Sequence, residues 1–156
     1  MDEFKKAPYL ELENYKSPEG GNFIFIPMQD NRNIRLAYWE LLESKKVSRV
    51  TVLLQQGHNE FIEKYFETIQ ELIHRNFNVV CFDWRGQGMS DRMIDDENKQ
   101  YIEDFSIHCE DLSFIVTEII NKKFPEPLIG IGHSMGGHLL LLSQEFNQDK
   151  FKSIIL

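Results

Sequence analysis

Long hydrophobic runs are absent from this 156-residue chain, which has no stretch of eighteen apolar residues and therefore no predicted transmembrane helix. Cysteine is scarce. Cys81 and Cys109 are the only two, and they read as buried thiols rather than a disulfide or a metal pair. Basic residues are outnumbered, seventeen Lys and Arg against twenty-five Asp and Glu, for a net charge of −8. That balance argues against a nucleic-acid or anionic-membrane partner, which calls for clustered Lys and Arg. The five histidines sit in no H-E-x-x-H motif, no C-x-x-C accompanies them, and neither a metal nor a cofactor is expected. The opening residues Met1 to Lys6 lack the apolar segment of a signal peptide. A cytoplasmic protein without internal repeats or low-complexity tracts is the expectation.

What is present suffices for one domain, since 42% of the residues are hydrophobic. Residues 1–21, broken by Pro8, Pro18 and Gly20-Gly21, read as an irregular lead-in, and 22–156 as the domain. Phe23 to Ile26 and Ile34 to Trp39 flank the turn signal Asp30 to Asn33 and predict an antiparallel hairpin. Val50 to Leu54 is a continuous apolar run, the mark of a strand buried on both faces. Ile62, Phe66, Ile69 and Ile73 form a helical stripe, and Phe77 to Phe82 returns as a strand. After a polar loop over 84–102, Phe105, Cys109, Leu112, Val116 and Ile119 mark a second amphipathic helix, closed by Pro125 and Pro127. Leu128 to Ile131 is the next strand. A helix over 135–147 follows, apolar on all sides and so expected to be buried, and Phe151 to Leu156 begins one more strand. Strands alternating with helices predict a mostly parallel α/β sheet with helices on both faces.

The most informative stretch is Gly132-His133-Ser134-Met135-Gly136, a G-x-S-x-G between an apolar strand and a leucine-rich helix. In that setting a serine is lifted from the backbone as a nucleophile, and small neighbours at 132 and 136 make room for the turn. The helix start supplies unpaired N–H groups, so the N–H of Met135 is expected to face a developing oxyanion. The plainer alternative is a glycine-rich turn bearing a surface serine. Dinucleotide binding is disfavoured, because Met135 stands where a G-x-G-x-x-G needs its third glycine.

Three segments fall at the C-terminal ends of successive strands: Gln56 to Glu60, Asp83-Trp84-Arg85-Gly86-Gln87-Gly88-Met89-Ser90, and Gly132 to Gly137. Together they resemble the α/β-hydrolase fold, and more narrowly its lysophospholipase and monoacylglycerol-lipase-like branch, grouped with the serine aminopeptidases. The resemblance implies Ser134 as nucleophile of an ester or amide hydrolase, with the N–H groups of His58 and Met135 as the oxyanion hole. The family usually shows His-Gly where this chain has Gln56-Gly57, a change that leaves the main-chain donor intact. Asp83, Arg85, Gly86 and Gly88 read as a structural loop, with an Asp–Arg pair pinning it beside the turn.

The resemblance also implies parts not found here: a cap, a late aspartate or glutamate, and a final histidine. After Ser134 the chain offers only His138, Glu145 and Asp149. The reading is therefore an N-terminal half of such a domain, truncated after the start of the strand that follows the nucleophile helix. Its expected substrate is a lipid-like ester. Its expected partners are a complementing C-terminal half or a second copy paired through the exposed sheet edge. The alternative is a non-catalytic remnant or binding module of the same fold.

Overall fold

The computed structural model describes residues 4–41, 50–96, 98–124, 126–145 and 150–156. The hairpin forms as expected, β1 (Asn22–Pro27) against β2 (Asn33–Trp39), with Ile24 opposite Leu36. β3 (Thr51–Gln55) and β4 (Asn78–Phe82) are buried at every residue, as continuous apolar strands should be. β5 (Leu128–Gly132) and β6 (Ser153–Ile155) complete a six-stranded sheet of order β1-β2-β4-β3-β5-β6. Pairing is antiparallel from β1 through β2 to β4 and parallel across β4, β3, β5 and β6.

Helices cover both faces. Alternation along β3 sends Val52 and Leu54 to one face and Leu53 to the other. On the first face lie a 3₁₀ turn (Ile62–Tyr65) and α1 (Phe66–His74), which bury Ile62, Phe66 and Ile69. On the second lie α2 (Phe105–Phe114) and α4 (Met135–Leu142), which contribute Cys109, Leu112, Leu139 and Leu140. Cys81 and Cys109, both buried and free, belong to opposite cores.

Helix α2 starts where Asp104 caps it, its carboxylate accepting the N–H of Ser106 at 2.7 Å. Beyond Phe114 the winding loosens into a π-helical stretch (Ile115–Ile120) before the final turn α3 (Asn121–Lys123). That stretch buries the expected Val116 and Ile119 and, beside them, Ile115 and Ile120, which the predicted stripe did not include. Pro125, assigned to closing this helix, lies outside the described residues.

Three expectations are corrected. Phe105 is exposed, because it occupies the first turn of α2, at the edge of the packed stripe. The helix after Ser134 is buried on one side only: Leu139 and Leu140 are covered, while Leu141 is half exposed and His138 faces outward. One face rests on β5, with Leu140 against Gly130, and the other is open. Its α-helical part ends at Leu142 and tightens into a 3₁₀ turn (Ser143–Glu145), while residues 146 and 147 of the expected helix lie outside the described residues.

The lead-in has little regular structure but is tied down. Ala7 donates to the Phe23 carbonyl and Phe25 to that of Lys5, both at 2.9 Å, and Tyr9 stacks on Phe23 with ring centroids 4.3 Å apart. Among the described residues no helix is long and apolar enough to cross a membrane.

Candidate active site

The turn after β5 is built by steric exclusion. Ser134 adopts φ 50° and ψ −116°, a left-handed conformation that places roughly 1–3 kcal/mol of strain in a non-glycine residue. Backbone bonds hold it on both sides. His133 donates to the Gln55 carbonyl at 2.9 Å, Gly136 to that of His133 at 2.9 Å, and His138 to that of Ser134 at 3.0 Å. A Cβ at Gly132 would stand 2.5 Å from the Gly137 backbone, and one at Gly136 would stand 2.6 Å from the carbonyls of Gln55 and Gln56. Both glycines therefore let α4 approach the strand ends. Ser134 itself is exposed.

The loop after β3 closes on this turn. A Cβ at buried Gly57 would lie 3.2 Å from Ser134 Cβ and 3.1 Å from His133 Nδ1, so the two loops are in contact. His58 follows at the surface, and Met135 is the first residue of α4. Neither the His58 nor the Met135 N–H has a hydrogen-bond acceptor among the described residues.

A cluster that the sequence reading missed joins these loops. One oxygen of Glu60, Oε2, accepts from the N–H of Gly57 at 2.8 Å and from the hydroxyl of Tyr65 at 2.6 Å. The same oxygen lies 3.0 Å from His133 Nδ1. Burial pushes the Glu60 carboxyl up, but hydrogen bonds from Tyr65, His133, Gly57 and Lys64 outweigh it and hold the group at about 2. Burial and the Glu60 carboxylate both push the Tyr65 phenol upward. Glu60 ends the Gln56 to Glu60 segment, and Tyr65 directly precedes Phe66 of the helical stripe. Neither position carries a local signal of its role.

The loop after β4 is pinned by ion pairs, with different partners from those expected. Asp83 and Arg85 do not pair with each other. Asp83 takes Arg35 Nε at 2.7 Å, Gln56 Nε2 at 3.2 Å, and the N–H groups of Ile62 at 3.0 Å and Met89 at 2.8 Å. Arg85 instead grips Asp111 through two bonds of 2.8 and 2.7 Å and also reaches Asp30. The reason is orientation: the chain turns between positions 83 and 85, so Asp83 serves the sheet interior and Arg85 serves α2. Gly86 (φ +81°) and Gly88 (φ +52°) make the turns, and a Cβ at Gly88 would collide with the Asp83 carboxylate.

The structure does not bring the remaining candidates to Ser134. The His138 ring meets Phe105 edge-on at 6.3 Å, Glu145 is exposed in the turn after α4, and Asp149 lies outside the described residues. A cleft of about 590 Å³ runs along Met28, Arg85, Met93, Asp111 and Phe114, and no residue of the Ser134 turn lines it.

Comparison with known proteins agrees with this fold. The family model described as serine aminopeptidase, S33, matches residues 46–156. The probable lysophospholipase L2 of Haemophilus influenzae is 29% identical over 109 residues, which span 70% of this chain and 34% of that protein. The monoglyceride lipase of Rattus norvegicus is 27% identical over 155 residues, 97% of this chain and 44% of the lipase. Among solved structures, a soluble variant of the Saccharomyces cerevisiae monoglyceride lipase superposes with a TM-score of 0.63 at 23% identity, covering 90% of this chain and 43% of that one. The chain thus spans about a third to under half the length of these relatives.

Proposed function

This chain belongs to the serine aminopeptidase S33 family, with an α/β-hydrolase fold, and on that premise we propose that Ser134 is the nucleophile of a serine acyl-hydrolase. The observation that carries the reading is Ser134 itself, exposed and held at positive φ between a strand and a helix. Strain of this kind persists where the surroundings enforce it, and here two close-packed glycines and three backbone bonds do so.

In this reading Ser134 Oγ attacks an ester carbonyl carbon, and the N–H groups of His58 and Met135 receive the oxygen as it becomes negative. One such donor is worth roughly 3 kcal/mol. The lysophospholipase and monoglyceride lipase relatives point to a lipid-like ester as substrate. The carboxylate and histidine that activate the serine follow it in the order Ser…Asp…His in this fold. We assign them to a complementing half, with pairing of a second copy along β6 as the alternative route. Free buried thiols fit a cytoplasmic setting.

Removing the base of a serine hydrolase lowers turnover by about a million-fold, so the chain alone is expected to react slowly. The test is a fluorophosphonate probe with mass spectrometry of the adduct and Ser134→Ala as control. A slow adduct at Ser134, lost in the variant, supports the proposal. A folded chain that forms no adduct favours the non-catalytic reading.

A further inference from the structure

Glu60 concentrates three donors on one oxygen, and the three come from different parts of the site. The N–H of Gly57 belongs to the loop after β3, the hydroxyl of Tyr65 to the 3₁₀ turn before α1, and Nδ1 of His133 to the turn that carries Ser134. We infer that Glu60 is a positioning residue: it clamps the Gly57 loop against the Ser134 turn and fixes His133 with its proton on Nδ1.

The proton count leads to this. A carboxylate only accepts hydrogen bonds, and a tyrosine hydroxyl has a single hydrogen to give. That hydrogen goes to Glu60 at 2.6 Å, the shorter contact, rather than to His133 Nδ1 at 3.2 Å. His133 Nδ1 then faces two acceptors, Glu60 Oε2 at 3.0 Å and the Tyr65 oxygen at 3.2 Å. A bare ring nitrogen there would meet lone pairs from both sides, so Nδ1 carries hydrogen and shares it between them. The low pKa of Glu60, at about 2, keeps the acceptor ionised at neutral pH.

The clamp also decides which main-chain donor stays open. Glu60 engages the N–H of Gly57 from three residues along, closing a tight turn in which Asn59 takes φ 57°. The next N–H, that of His58, is left without an acceptor among the described residues. Without the carboxylate, the Gly57 N–H loses its partner and the side-chain link from the loop to His133 is lost, leaving only the main-chain bond from His133 to Gln55 at the end of β3. Displacement of a reacting group by about 1 Å lowers rates by about a hundredfold. The effect on reactivity rests on reading Ser134 as the nucleophile, whereas the effect on His133 does not.

Two measurements on the whole chain separate these. Long-range ¹H–¹⁵N spectra of the ¹⁵N-labelled chain report the His133 tautomer, assigned with His133→Gln, in wild type, Glu60→Ala, Glu60→Gln and the milder Tyr65→Phe. The expected result is an Nδ1–H ring in wild type, lost in Glu60→Ala and partly kept in Glu60→Gln, whose carbonyl still accepts. An Nε2–H ring in wild type, or an unchanged ring in Glu60→Ala, overturns the proposal. In parallel, the fluorophosphonate reaction is split into kinact and KI. Glu60→Ala is expected to lower kinact by about ten- to a hundredfold with KI unchanged, and Glu60→Gln to restore part of it. Equal kinact in wild type and Glu60→Ala overturns the clamp. Absence of any wild-type adduct overturns the reading of Ser134 instead, and the tautomer alone then decides the role of Glu60.

Discussion

Arg35 and Asp83 stand forty-eight residues apart in sequence and meet at 2.7 Å in the interior, neither with any exposed surface. The contact follows from strand register. β2 pairs with β4 antiparallel, Leu36 opposite Phe82, which sets Arg35 opposite Asp83 one step further, where the Asp83 N–H donates to the Arg35 carbonyl at 2.9 Å. The guanidinium also binds both oxygens of Glu63 at 2.7 Å and the Pro8 carbonyl at 3.2 Å. One side chain thus ties together the hairpin, the loop after β4, the 3₁₀ turn before α1 and the lead-in.

Removing Arg35 leaves two buried carboxylates without their cation. Arg35→Ala is expected to destabilise the protein by about 4 kcal/mol, read from the midpoint of urea denaturation. Glu63→Gln, which keeps an acceptor facing the guanidinium and leaves Asp83 paired, should lose less than half of that. A loss below about 1 kcal/mol for Arg35→Ala would show that the cluster contributes little.

Gly57→Ala tests the contact between the two loops. The added methyl meets Ser134 Cβ, His133 Nδ1 and Glu60 Oε2 at 3.2 Å or less, while the rest of the fold is untouched. We expect an unchanged thermal midpoint within a few degrees and phosphonylation of Ser134 slowed by about tenfold or more. Equal labelling rates would mean that the loop is free to move away.

Ser134→Gly separates strain from reactivity. Glycine adopts φ 50° without penalty, so the variant should be more stable than wild type by about 1 kcal/mol and carry no adduct. Denaturant titration against wild type measures the first and mass spectrometry the second. A destabilised Ser134→Gly chain would show that the serine conformation stores no strain.

His108 gives a pH dependence whose sign is fixed. Its ring is fully buried beside Trp84, and neither nitrogen has a partner among the described residues. Burial, with a smaller contribution from Arg85, pulls its pKa down from 6.5 to about 4. Between those values the unfolded chain binds the proton and the folded chain does not, so stability falls as pH drops from 6.5 to 4. The loss is on the order of 3 kcal/mol. His108→Phe should flatten that part of the stability curve and raise stability at pH 5. A variant that tracks wild type across the window would refute the assignment.

The elements were legible from the sequence because each rests on local chemistry. Val50 to Leu54 reads as a strand covered on both faces because it is short, rich in β-branched residues and nearly all apolar, and the strand forms at Thr51–Gln55, buried at every residue. Glycines at 132 and 136 around Ser134 require a close strand-to-helix approach, which the structure shows down to the carbonyls of Gln55 and Gln56. The three loops that gather at one end of the sheet follow from strands alternating with helices.

Partner choice was not legible, because it depends on which strands become neighbours. Asp83 pairs with Arg35 rather than Arg85 because β2 lies beside β4, a placement that no spacing along the chain encodes. Glu60, Tyr65 and His133 meet because the loop after β3 folds against the turn after β5, bringing residues seventy-three positions apart to 3.0 Å. The outward face of α4 and the exposed Phe105 have the same origin, since a helix buries only the side that a neighbour covers. Short-range sterics and periodicity therefore determined the strands, helices and turn from the sequence alone, while the ion pairs and the Glu60 cluster were decided by the tertiary packing of distant segments.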